Sequence, residues 1–91
     1  MKKYKIYGGI GGKIWDFIGF FVCDSLEEAE EIGRKYAMGI YQGYEGTYDM
    51  MSWEDCKAQM EKLNIEITKE KVDEYYEQVM SCWLTYSALE Y

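Results

Sequence analysis

Apolar and polar residues alternate near the start of the chain in a way that predicts a β-hairpin. Residues 1–23 hold two runs rich in Ile, Tyr, Phe and Trp, and the stretch Gly8–Gly12, with four glycines, divides them. Apolar runs separated by a glycine cluster are typical of two strands joined by a turn. A two-stranded hairpin is marginally stable in water, so we expect the rest of the chain to cover it.

The two predicted strands differ in how their faces are used. Side chains alternate along a strand, so residues 4, 6 and 8 of the first strand should face one side. The second strand, roughly Ile14 to Cys23, is apolar on both faces apart from Asp16. Its outer side therefore needs cover from a helix, another strand or a partner, which is a first indication of an interaction surface. The water-facing residues of the first strand are Lys3, Lys5 and Tyr7.

A long amphipathic helix follows the hairpin. Ser25 and Glu28 have the spacing of a capping box, which places the helix start at Leu26. A mid-helix glycine costs about 1 kcal/mol relative to alanine, so Gly33 in the apolar stripe predicts close approach of helix to sheet, with a hinge as the alternative. The stripe consists of Leu26, Ala29, Gly33, Tyr36, Ala37, Ile40 and Tyr44.

Two further helices are predicted after a loop over residues 42–51. Ser52 caps the first of them, which extends to about Leu63, and residues 64–67 form an extended link or a short strand. Thr68 caps the second, whose apolar stripe continues to about Ser87. The alternative ends this helix near residue 80 and makes residues 81–88 a strand, because Trp, Thr and Tyr suit strands. The predicted fold class is α+β: an N-terminal antiparallel hairpin, with room for a third short strand, packed against about three helices.

Composition predicts one domain with an aromatic core. The chain has 91 residues, of which 48% are hydrophobic, and ten are tyrosine. A chain of this length supports a single core. Tyr buries its ring while keeping its hydroxyl wet, so the tyrosines fit a half-buried shell around the core or a binding surface.

The reactive side chains argue against catalysis. The chain has no His, so Cys-His and Ser-His-Asp arrangements are excluded. Its cysteines, Cys23, Cys56 and Cys82, are widely spaced and odd in number, which favours free thiols in the cytoplasm. We expect no enzyme activity, no metal site, no cofactor and no membrane segment.

Charge is distributed unevenly along the chain. Residues 1–13 carry four lysines and no acid, whereas the whole chain has a net charge of −7. An acidic body repels nucleic acid at long range and attracts basic proteins, including the basic surfaces of nucleases. The glycine-rich turn matches neither a Walker loop nor a dinucleotide fingerprint. It remains a weak candidate for binding a small anion through Lys5, Gly11, Gly12 and Lys13, with an ordinary hairpin tip as the favoured interpretation.

Several segments resemble proteins of bacteriophages. The Tyr4-Lys5-Ile6-Tyr7 run before paired glycines, the capped acidic helix from Ser25 and the Ser52-Trp53-Glu54-Asp55 motif are similar to small acidic phage and prophage proteins of unassigned function. More loosely, the layout is similar to the small anti-CRISPR proteins that cap the HNH nuclease domain of Cas9. The pieces shared with that group are Tyr4-Lys5-Ile6, Ser25-Leu26-Glu27-Glu28-Ala29, Tyr44-Glu45-Gly46 and Met80-Ser81-Cys82-Trp83.

The resemblance implies a function in counter-defence. In that anti-CRISPR group a Ser and a Cys before the terminal Trp contact the nuclease centre, and the matching residues here are Ser81 and Cys82, followed by Trp83. Tyr44 and Tyr48 in the loop are further candidates for partner contact. The expected protein binds and inhibits a host defence nuclease by protein contact. The alternatives are a sponge for a small anionic signal nucleotide and a structural or regulatory phage protein.

Overall fold

The computed structural model describes residues 1–11, 14–47 and 50–91, and it confirms the α+β fold class. The three strands form one antiparallel sheet in the order β2-β1-β3, so the N-terminal strand is central. The predicted hairpin is therefore present, with β1 paired to β2 along its whole length. The elements are β1 (Lys2–Ile10), β2 (Ile14–Cys23), α1 (Leu26–Tyr44), α2 (Trp53–Lys62), α3 (Lys69–Ser81) and β3 (Leu84–Glu90).

Helix α1 covers one face of the sheet, called here the inner face, at very short range. A Cβ atom added to Gly33 would lie 2.9 Å from the carbonyl oxygen of Tyr7 and 3.0 Å from Cβ of Tyr86. A Cβ added to Gly8 of β1 would lie 2.7 Å from the Gly33 carbonyl oxygen. Two glycines thus face each other across the contact, as the sequence predicted for Gly33. The buried residues of α1 follow each other at intervals of four: Ala29, Gly33, Ala37 and Tyr41. Three other residues of the predicted stripe, Leu26, Tyr36 and Tyr44, are more than one third exposed.

The prediction that the third helix reaches Ser87 is wrong, because α3 ends at Ser81 and residues 84–90 form strand β3. This strand pairs antiparallel with β1 from Tyr4↔Glu90 to Ile10↔Leu84. Pairing satisfies the backbone groups along the second edge of β1, which a continued helix would leave open. The helical spacing of the apolar residues beyond residue 81 was coincidental. The alternative prediction, a strand over residues 81–88, is the one that the structure supports. Residues 64–67 form the connection between α2 and α3 rather than a strand.

Helices α2 and α3 pack mainly on each other and elongate the molecule. Their shared core contains Cys56, Met60 and Val72. The Trp53 indole N–H donates to Oδ1 of Asp73 at 2.7 Å, which links the start of α2 to α3. The molecule measures 49 × 24 × 15 Å, and its radius of gyration of 15.5 Å exceeds the roughly 12 Å expected for a compact chain of this length. The sheet with α1 therefore forms a body, and α2 with α3 forms an arm.

A mixed cluster joins the arm to the body. Ile10 at the end of β1, Tyr41 of α1, Met50 and Met80 of α3 are buried together. The hydroxyl of Tyr41 donates to the backbone oxygen of Met51 at 2.7 Å, so this buried phenol is satisfied. The cluster lies on the inner side of the sheet, and none of the described helices packs on the opposite face.

Candidate functional site

Within residues 1–11, 14–47 and 50–91, no helix or strand covers the face of the sheet opposite α1, and we call it the open face. A β-bulge in β2 shapes it, because Ile6 pairs with Gly19 whereas Tyr7 pairs with Phe17. The extra residue, Ile18, packs into the core on the inner side. The bulge brings odd-numbered and even-numbered residues of β2 to the same face. The side chains of the open face are Lys3, Lys5 and Tyr7 of β1, Trp15, Phe17, Phe20 and Val22 of β2, Thr85, Ser87 and Leu89 of β3, and Tyr91.

Aromatic rings cross the open face in a continuous row. Tyr7 and Trp15 are stacked with their ring centroids 5.4 Å apart and their planes within 3° of parallel. Phe17 and Phe20 meet edge to face at 5.4 Å, and Phe20 meets Tyr91 in the same way at 4.8 Å. Trp15, Phe17 and Phe20 are each about half exposed to water. Clustered apolar side chains of this size on a protein surface are typical of a binding surface.

Two lysines of the central strand lie among these rings. The ammonium group of Lys5 is 5.7 Å from the ring centroid of Tyr7 and 5.9 Å from that of Phe17. Lys3 lies 5.9 Å from the ring of Tyr91. Such distances allow cation–π attraction. None of the described strand residues that point to the open face is acidic, so this surface is aromatic and positively charged on an otherwise acidic protein.

The predicted partner-binding residues near the C-terminus lie at one end of the sheet. Ser81 is the last residue of α3, Cys82 caps the helix, and both are exposed. Trp83 is partly buried against the cluster that joins the arm to the body. The Trp83 side chain therefore fixes the connection to this cluster, while Ser81 and Cys82 are accessible to a partner. Ser81 remains in the helix and Cys82 lies in the connection to β3, so the two side chains are presented differently from those of a continuous helix.

Two tyrosines were predicted as further partner contacts. Tyr44 is the last residue of α1 and is 38% exposed, whereas Tyr48 lies outside the described residues. Tyr44 follows Tyr41 by three positions, and Tyr41 is fully buried beside Tyr76 of α3. Tyr44 is therefore near the same junction of arm and body.

The predicted anion site receives little support from the described residues. The amide of Gly11 donates to the carbonyl oxygen of Trp83 at 2.7 Å, so this donor is already used inside the protein. Lys5 points to the open face, among aromatic rings. Gly12 and Lys13 lie outside the described residues. The Gly11 bond does join the hairpin end to the Cys82-Trp83 connection, so two predicted sites are neighbours.

The buried titratable groups are structural. Burial, followed by nearby carboxylates, raises the pKa of the Cys23 and Cys56 thiols, so both are poor nucleophiles. Burial also raises the pKa of Tyr41 to about 12. Burial and the hydrogen bond that the Tyr76 hydroxyl donates to Glu45, 2.6 Å long, raise the pKa of Tyr76 as well. These phenols stay protonated and hold α1, the following loop and α3 together.

A shallow groove lies on the arm near the turn between α2 and α3. It has a volume of about 250 Å³ and is widely open to solvent. Next to it, Leu63 and Ile65 are 59% and 42% exposed. The groove is lined by Met60, Ile65, Lys71, Glu74, Tyr75 and Gln78. Its wide opening distinguishes it from the concave clefts that bury most of a small ligand.

Comparison with known proteins adds no relative to this picture: no protein-family model, no curated protein and no solved structure matches the chain. Among the described residues, no helix is long and apolar enough to cross a membrane. The site must therefore be interpreted from its own chemistry.

Sequence reasoning found only part of the open face. It placed Lys3, Lys5 and Tyr7 on the outer side of β1 and noted that β2 needs cover on its outer side. It did not name Trp15, Phe20 or the other rings of β2 and the C-terminus as site residues. The signal was present as an apolar strand without a polar face, but the bulge that gathers the rings is not visible in the sequence.

Proposed function

We propose that the protein is a phage counter-defence inhibitor that binds a host defence nuclease by protein–protein contact. The observation that carries the proposal is the exposure of Ser81 and Cys82 together at the end of the sheet. The resemblance assigns nuclease contact to these two residues, and β3 directly after them gives the connection a fixed position. In its narrower form, the proposal is that the nuclease is the HNH domain of Cas9.

The acidic helices supply a second line of support. Glu27, Glu28, Glu30 and Glu31 lie within the first two turns of α1, on the side of the molecule away from the open face. A nuclease binds the phosphates of its substrate with basic residues, and an acidic surface attracts such a site at long range. Contact through the acidic side and the Ser81-Cys82 connection would cover the catalytic surface without any chemistry by the inhibitor.

The proposal is tested by capture from host lysate at low salt with the tagged protein. We expect a nuclease or another defence protein to be retained above background and released as salt is raised, because surface charge interactions are screened. In parallel, Cas9 cleavage of a target DNA is measured with increasing amounts of the protein. The narrower proposal predicts loss of target-strand cleavage, which is the cut made by the HNH domain.

Variants separate the proposed contact from general effects of the protein. Ser81→Ala combined with Cys82→Ala should relieve inhibition, because it removes two side chains from the contact. The matched control is Glu61→Ala combined with Lys62→Ala, two exposed positions at the far end of α2. If the Ser81 and Cys82 double variant inhibits as well as the unchanged protein, the HNH proposal fails. If lysate yields no defence protein, the wider proposal fails.

A further inference from the structure

We propose that the open face binds single-stranded nucleic acid, with its rings stacking on bases and Lys3 and Lys5 contacting phosphates. The proposal rests on the juxtaposition of a row of half-exposed rings with two lysines on the central strand of an uncovered sheet. It does not depend on the inhibitor proposal, which concerns another surface.

The position of the charges selects the kind of occupant. Lys3 and Lys5 lie on the central strand, and no described outward-pointing strand residue is acidic. If a second copy covered this face, each copy would bury lysines in the middle of the interface without a carboxylate from either copy, which is costly. An anionic occupant removes that cost. Charge complementarity therefore favours an anionic ligand over self-association.

The rings select among anionic ligands. Single-stranded nucleic acid alternates flat bases with phosphates, and binding proteins recognise it with aromatic side chains on an open sheet beside basic residues. Lys3 and Lys5 are two positions apart on one strand, so their attachment points are about 6.6 Å apart along β1. This spacing suits successive phosphates of an extended strand. On the neighbouring strand β2, Phe20 with its half-exposed ring pairs with Lys5, and Trp15 with its half-exposed ring pairs with Gly9, nearer the hairpin turn.

The acidic helices do not forbid such binding. Helix α1 lies against the inner face, so its carboxylates are separated from the open face by the thickness of the sheet. The charge interactions of exposed groups fall off over about 8 Å at physiological salt. The prediction from net charge that nucleic acid is repelled applies to the helical side. On the open face, the negative net charge makes the binding of nucleic acid weak and sensitive to salt, so this binding depends on stacking.

The test measures binding of a labelled oligothymidine of about 15 nucleotides, a length within the usual range for one small domain. We expect saturable binding at about 0.1 M salt, where the Debye length is about 10 Å, with a log–log salt slope of roughly −1.4 for two phosphate contacts. A duplex of the same length should bind more weakly, because its bases are not open to stacking. In nuclear magnetic resonance spectra of the unchanged protein, amide shifts on adding the oligonucleotide should follow β1, β2 and β3 rather than α2 and α3.

Matched variants assign the site. Lys3→Gln with Lys5→Gln should weaken binding about tenfold or more and flatten the salt slope, whereas Lys57→Gln with Lys62→Gln on α2 removes equal charge and should not. Phe20→Ala should weaken binding by about fivefold or more, whereas Leu63→Ala on the arm should not. The lysine variants keep the proposal testable if Phe20→Ala fails to fold, since both lysines are on the surface.

Four outcomes would overturn the proposal. The first is no binding of single-stranded DNA or RNA at about 0.1 M salt, and the second is equal binding by the open-face variants. The third is a dimer of the unchanged protein in light scattering that Phe20→Ala dissociates, which would assign the face to a second copy. The fourth is equally tight binding of polyglutamate, which would assign it to an acidic protein and remove the role of stacking.

Discussion

The two faces of the sheet show how one pair of strands serves two purposes. On the inner face, Ile6 and Ile10 are fully buried, and glycines allow α1 to contact the backbone of β1. On the open face, Phe17 and Phe20 are about half exposed, although Phe is as apolar as Ile. The difference teaches that apolar character alone does not define the core here. The inner face determines stability, whereas the open face is available for binding, and each prediction below tests that division.

The largest expected difference between the faces comes from truncating one apolar side chain on each. Ile6→Ala should lower the free energy of unfolding by about 2–5 kcal/mol, because it leaves a cavity under α1. Val22→Ala on the open face, where Val22 is 57% exposed, should cost less than about 0.5 kcal/mol. Chemical denaturation of both variants measures the difference. Equal costs would mean that the open face is covered in solution, and the division of the two faces would be wrong.

The contact between α1 and the sheet can be tested at its glycine. Gly33→Leu should destabilise by about 1–3 kcal/mol, because its side chain would overlap the backbone of β1 and Tyr86. Gly39→Ala is the control in the same helix, because a Cβ there has no neighbour within 4 Å. It should stabilise by up to about 1 kcal/mol through helix propensity. A stable Gly33→Leu variant with an unchanged fold would contradict the close contact on the inner side.

Alkaline pH should lower the free energy of unfolding through a phenol on the inner side. Burial raises the pKa of Tyr41 to about 12 from the ordinary value of 10, so the folded protein holds this proton more tightly than the unfolded chain. The stabilisation is complete below pH 10 and is lost as pH rises from 10 through about 12. Unfolding free energies across this range should fall, and Tyr41→Phe should reduce the slope at a cost of about 1 kcal/mol at neutral pH, since it leaves the Met51 carbonyl without its donor. An unchanged slope in Tyr41→Phe would show that other groups cause the effect.

The smallest effect is expected for ring contacts on the open face. Phe20 and Tyr91 meet edge to face, and a double-mutant cycle with alanine at both positions should give a coupling energy of about 0.5 kcal/mol. The low value follows from exposure of both rings, with Tyr91 75% exposed. Urea denaturation of the four proteins in the cycle measures it. Zero coupling would mean that the row of rings is not ordered in the free protein and forms only on binding.

Local sequence signals predicted most of the fold. Ser25, Ser52 and Thr68 each accept a backbone hydrogen bond as the N-cap of their helices, because capping depends on residues within one turn. The hairpin and the outward orientation of Lys3 and Lys5 followed from alternation. The end of α3 was missed because the apolar residues among 82–87 fit both the helical period of 3.6 residues and the strand period of 2. What decides between them is the free edge of β1, a partner about 80 residues away in the sequence.

The chain by itself thus determined the hairpin, the starts and caps of α1, α2 and α3, and the contact of Gly33 with the sheet, since each depends on nearby residues or on one missing side chain. Only the tertiary structure decided the open face. Alternation would send Phe17 and Phe20 to opposite sides, and the bulge in β2 brings them together. The third strand adds Leu89 and is followed by Tyr91, and no helix in the described part of the chain covers this face, so the row of rings lies in water. These are properties of pairing and layering, which a single sequence does not display.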